Sequence, residues 1–193
     1  MLKNILLTLY ILSTCLRLEA QERRVLLQDK SITLIHYIDY SKPFKSYSGT
    51  DYPFTNIFCV EDSGKIDTIS LAFANPVGTP VFNGTQLAFM TSRMGLTDFY
   101  YCIYEKVDGT WRKIVGHGTG SIYPNEKAEL IIKSMFVIEI KAERLSGKIH
   151  HEVEFDFVNK VTKRYMIDDN GNRKLDMTVP FPKWKYDKFI SRN

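Results

Sequence analysis

Cysteine is scarce in this chain: three residues among 193, at Cys15, Cys59 and Cys102, with no Cys-x-x-Cys pair to hold zinc or exchange disulfides. Histidine is nearly as rare, with four residues at His36, His117, His150 and His151. No His-Glu-x-x-His helix or Gly-x-Ser-x-Gly elbow occurs, which removes the familiar metalloprotease and α/β-hydrolase signatures. A large excess of one charge is also missing, since the formal net charge is only +4. Nucleic acid is therefore not the expected partner, because phosphate binding relies on clustered Lys and Arg. No basic amphipathic helix is present to lie on a membrane surface, and no low-complexity tract or linker divides the chain.

What is present begins with an address. Lys3 supplies a basic start, Ile5 to Leu12 form an almost unbroken apolar run, and Leu18-Glu19-Ala20 ends on a small residue before Gln21. This is the layout of a secretory signal peptide over residues 1–20. The run falls well short of the roughly 20 residues needed to span a bilayer. Leu12-Ser13-Thr14-Cys15 also looks like a bacterial lipobox, which makes Cys15 a lipidation candidate that would tether the chain to a membrane. Either way the protein is expected to be exported: secreted, periplasmic or at the cell surface. Removing Lys3, Arg17 and Glu19 with the leader takes the formal charge from +4 to +3. The remaining 21–193 are expected to form a single β-rich domain. Export places Cys59 and Cys102 in a disulfide-permissive compartment. A bridge between them would close a loop of about 43 residues and add on the order of 4 kcal/mol.

Turn chemistry carries the fold class. Asn83-Gly84, Asp108-Gly109, Asn170-Gly171 and the weaker Ser146-Gly147 tolerate the positive φ values that tight hairpins demand. Pairing outward from Ser146-Gly147 sets Ile140 opposite Val153, Ile138 opposite Phe155 and Phe136 opposite Phe157, an apolar face. The other face sets Lys141 against Glu152 and Glu139 against Glu154. From Asp108-Gly109 the same exercise pairs Glu105 with Arg112, Ile103 with Ile114 and Lys106 with Trp111. Further strands are expected at 31–40 and around Ile69, Leu71 and Phe73. Residues 41–53 read as a loop, and only 125–133 has a helical cast. The expected fold is all-β, an antiparallel β-sandwich or barrel built from hairpins.

Residues 79–114 contain Pro80, the Asn83-Gly84 turn, the strand Leu87-Ala88-Phe89, Thr91-Ser92-Arg93 followed by Gly95, Asp98, and Gly109 with Trp111. This pattern resembles one blade of the TolB-type β-propeller repeat of bacterial envelope proteins, with Asn83 standing where the repeat usually carries Asp. The resemblance covers under a fifth of the chain, and no second copy recurs at a spacing of about 40 residues. It implies a propeller-like arrangement as the alternative architecture, and a noncatalytic envelope protein that binds protein or glycan.

Candidate chemistry is thin. His150, Glu152, Glu154 and Asp156 alternate onto one strand face, where they could ligate a cation, share acid-base work on a glycan or form a solvated polar row. Trp184 and Tyr186 lie in an aromatic, basic tail that suits docking to a partner or closure of a core. Asp168-Asp169-Asn170-Gly171-Asn172 has calcium-loop oxygens at its odd positions but Arg173 where that loop needs Gly, so a hairpin turn is expected. His117 sits in the glycine-rich 116–120 run, expected to be a loop. No catalytic residue, metal or cofactor is assigned. The function expected is an exported binding or structural protein whose partner is an envelope or extracellular protein or glycan. The alternatives are a glycan-acting hydrolase using carboxylates, or a barrel carrying a small apolar ligand.

Overall fold

A computed structural model describes residues 21–45, 51–72, 74–93, 98–119 and 126–181, so Cys15, Trp184 and Tyr186 lie outside the described residues. Among the described residues all regular structure is β-strand, in antiparallel meanders. The chain clusters into two compact units, Met1–Thr79 and Pro80–Asn193.

The first unit holds a four-stranded sheet of order β1 (Gln21–Gln28), β2 (Ile32–Asp39), β5 (Thr55–Asp62) and β6 (Lys65–Ala72). Between β2 and β5 the chain makes a minimal pair, β3 (Phe44–Lys45) and β4 (Asp51–Tyr52), inside the stretch expected to be loop. Consecutive Leu34 and Ile35 are both fully buried, so β2 is covered on both faces, as its near-continuous apolar sequence allows. Ser63 (φ 53) and Gly64 (φ 79) turn β5 into β6 with the paired positive φ of a tight hairpin. On one face, His36 is 1% exposed, stacks on Phe58 at 4.9 Å and bonds Asn56 Oδ1 through Nε2 at 2.6 Å.

The second unit contains a sheet of order β10 (Thr110–Gly118), β9 (Phe99–Val107), β8 (Gln86–Arg93) and β7 (Ala74–Phe82), of which β7 begins before the unit boundary. A five-stranded sheet follows, β11 (Lys127–Ser134), β12 (Val137–Arg144), β13 (Gly147–Asp156), β14 (Val161–Ile167) and β15 (Arg173–Pro180), in chain order. The two sheets share a core. The Tyr101 hydroxyl donates to the Met135 carbonyl at 3.0 Å, and its ring stacks on Phe155 with centroids 6.0 Å apart. Around them Ile103, Ile138 and Val153 are fully buried.

Several expectations are corrected. Cys59 and Cys102 are free thiols, each buried within its own unit, so the disulfide is not formed. Each is instead a small apolar filler of a central strand, and burial pushes the Cys102 thiol up to about 12. Within the stretch expected to have a helical cast, the chain forms strand β11 from Lys127 onward, because pairing with β12 supplies the backbone bonds that so short a helix would supply poorly. The β12–β13 hairpin turns at Leu145-Ser146, with Arg144 opposite Gly147, two residues out of the expected register. Ile138 therefore meets Val153, Ile140 meets His151, and Lys141 meets His150. A shift of two leaves each residue on its face, so burial does not oppose it. At Asp108-Gly109 the expected Arg112–Glu105 and Trp111–Lys106 pairs form, but a bulge after Lys113 sets Val115, not Ile114, opposite Ile103.

Within the glycine-rich run, Gly116, His117 and Gly118 are strand rather than loop, and these two glycines have a specific use. Gly118 lies opposite Tyr100, and a Cβ there would come within 2.8 Å of Tyr100 Cδ2 and 3.2 Å of the Phe99 carbonyl oxygen. At Gly116 the nearest atom is the distal Tyr100 hydroxyl, which a swing of the ring can withdraw. Gly118→Ala should therefore cost about 1–3 kcal/mol in a urea melt, and Gly116→Ala clearly less. Equal costs would show that the Tyr100 ring moves as readily from one as from the other.

Candidate functional site

Alternation along β13 turns His150, Glu152, Glu154 and Asp156 to the outer face of the five-stranded sheet, opposite the core face of His151, Val153 and Phe155. Neighbouring strands then supply the cations. The observed register puts Glu152 beside Glu139 of β12, a like-charged pair that would be unfavourable alone. A bulge between Ile132 and Ser134 frees Lys133 to lie over both, 3.4 Å from Glu139 and 2.8 Å from Glu152. Lys141 approaches Glu139 at 3.2 Å, and the His150 Nε2 bonds the same carboxylate.

Arg173 completes the row from two strands away. Its guanidinium lies 3.5 Å from the centre of the Tyr165 ring on the intervening β14, and forks to Glu152 (2.9 Å) and Glu154 (2.8 Å). Lys163 closes the far end, 2.7 Å from Asp156 and 3.7 Å from Glu154. Asn159 holds Asp156 as well, through its backbone N–H and its amide.

These contacts set the electrostatics. Burial works to raise the Glu139 carboxyl, but hydrogen bonds from His150, Lys141 and Lys133 prevail and hold it at about 2. Asp156 is kept well below the usual carboxylate range by Asn159 first and Lys163 next. A general acid requires the opposite shift, a carboxyl raised toward neutrality. The row is thus a ladder of fixed, mutually neutralising charges spanning all five strands.

The Asp168–Asn172 loop is a hairpin connection held by its own side chain. Asp168 Oδ1 accepts the backbone N–H groups of Asn170 (2.9 Å) and Asn172 (2.8 Å), and Oδ2 accepts the Asn172 amide at 2.9 Å. Its carboxyl is lowered by those bonds, the Asn172 side chain contributing most.

A second polar group escaped the sequence reading. The inward series Ile138, Ile140, Ala142 ends on Arg144, and the inward series Phe155, Val153 continues to His151. From the facing sheet, His117 is paired with Tyr101 and so shares its core-directed face. The signal was the place where each apolar alternation gives way to a base, which only strand pairing brings into one neighbourhood. No protein family, curated protein or solved structure matches the chain.

Proposed function

We propose that this is an exported binding protein of the cell envelope or extracellular space, which engages a protein partner through the charged outer face of β11–β15. The observation that carries the reading is Arg173 shared between Glu152 and Glu154 above Tyr165. It pre-orders two acids and one base on a rigid sheet, the kind of fixed charge pattern that selects partners and speeds encounter. The leader-like Met1–Ala20 supports export. The resemblance of residues 79–114 to a propeller blade supports an interaction scaffold over an enzyme.

The test is capture of envelope and secreted proteins from the native source by the mature protein, against a Lys163→Glu/Arg173→Glu double variant with an unchanged circular dichroism spectrum. A specific partner should bind the wild type and lose about tenfold or more in affinity to the variant. Undiminished capture by the variant would remove the surface from the proposal. Hydrolysis of envelope glycans that disappears in Glu152→Gln without loss of folding would replace binding with catalysis. Sequencing the mature N-terminus separates cleavage near Gln21 from a lipidated Cys15.

A further inference from the structure

The interior of the second unit changes character toward one end. Tyr101 marks the core-directed face of its sheet, and His117 is its direct cross-strand partner. On the opposing sheet Arg164 pairs with Val153 and Met166 with His151, all on the inward face. Arg144 ends the inward series of β12 and donates to the carbonyl of Thr119, two residues beyond His117. Two guanidiniums and two imidazoles thus gather where the apolar packing stops.

Among the described residues, the acids around this group are already engaged. Asp176 of β15 is engaged by Arg164, at 2.6 Å from Nε and 2.5 Å from Nη2. Asp98 accepts the Thr119 hydroxyl at 3.3 Å, and Glu126 accepts the Leu145 N–H at 3.2 Å. Lys174, opposite Met166, adds a cation on the inward side of β15, while His150 projects from the other face of β13. The buried Arg144 Nε has no hydrogen-bond partner among the described residues. A buried N–H left unmatched costs stability that an accepting oxygen would recover. Arg164 is 31% exposed and Met166 42%, so a small ligand can reach this end from solvent.

We propose that Arg144, His117, His151 and Arg164 form a binding site for the carboxylate or phosphate group of a small anion. One oxygen is taken by Arg144 and others by the imidazoles, which come from facing sheets and bind best when protonated. In the free protein both imidazoles are shifted toward the neutral form, by burial first and the nearby Arg164 next. A bound anion reverses that balance, so binding strengthens as pH falls. The site lies on the opposite face from the outer ladder and stands or falls independently of it.

Inorganic phosphate and acetate are the probes, titrated into the mature protein near pH 6 and pH 8 while the imidazole NMR signals are followed. The expected result is saturable movement of the His117 and His151 signals, a still His150, and affinity about fivefold or more higher at the lower pH. His117→Gln and Arg144→Gln should each weaken binding about tenfold. If Arg144→Gln does not fold, His151→Gln replaces it. Phosphate stronger than acetate assigns a phosphoryl ligand, and the reverse a carboxylate. Unmoved His117 and His151 signals, equal movement of His150, or unchanged affinity in folded variants would overturn the site.

Discussion

Replacing Phe155 by alanine should lower the stability of the second unit by about 3–5 kcal/mol, the range for deleting a buried aromatic ring from a packed core. Phe155 is 2% exposed, and its ring stacks on Tyr101, which is itself fixed by the bond to Met135. The space left would lie between two hydrogen-bonded sheets, neither of which can sag far without breaking its ladder. Phe155→Leu, which refills most of the volume, should cost markedly less. Urea unfolding checks both, followed by tryptophan fluorescence in a Trp184→Phe background that leaves Trp111 as the reporter. A loss below about 1 kcal/mol for the alanine variant would show that the two sheets do not share this core.

Glu139→Gln should cost about 1.5–3 kcal/mol, because Lys133, Lys141 and the His150 imidazole lose a charged acceptor whose side chain is only 11% exposed. Relief of the repulsion from Glu152 offsets little, since Lys133 already bridges the two acids. The sign of the pH effect follows from the depressed carboxyl. Its stabilisation is present above the ordinary 4.5 and fades as pH falls toward the folded value of about 2. Wild-type thermal stability should therefore decline through that window, and the glutamine variant should decline less steeply there. Parallel acid profiles for the two proteins would refute the assignment of this ladder as the source.

The strands themselves were legible because hairpin chemistry and alternation agree in this chain. Asp108-Gly109 adopts φ values of 51° and 74°, as the dipeptide suggests, and its first cross-strand pairs follow. The two-residue error at β12–β13 arose because alternation cannot tell registers that differ by two. The deciding feature was Gly147, which sits just past the turn with φ +121° instead of within it. For 127–134, a short half-apolar pattern fits either helix or strand, and only an available neighbouring strand decides. The carboxylate row of β13 was readable for the same reason as the strands. Its partners were not, because Lys133, Lys163 and Arg173 arrive from other strands and two of the contacts depend on a bulge or on reaching over Tyr165. The basic interior end needed one step more, the facing of two separate sheets.

The unbridged cysteines turn the protein into its own unfolding indicator. Burial pushes the Cys102 thiol up to about 12, so the reactive thiolate is scarce at neutral pH, and Cys59 is likewise shifted upward by burial. Neither sulfur reacts readily with an alkylating reagent until its surroundings open. Because Cys59 belongs to the first unit and Cys102 to the second, the two labelling rates read the opening of each unit separately. Folding itself needs no oxidant, so the same measurement runs in reducing buffer.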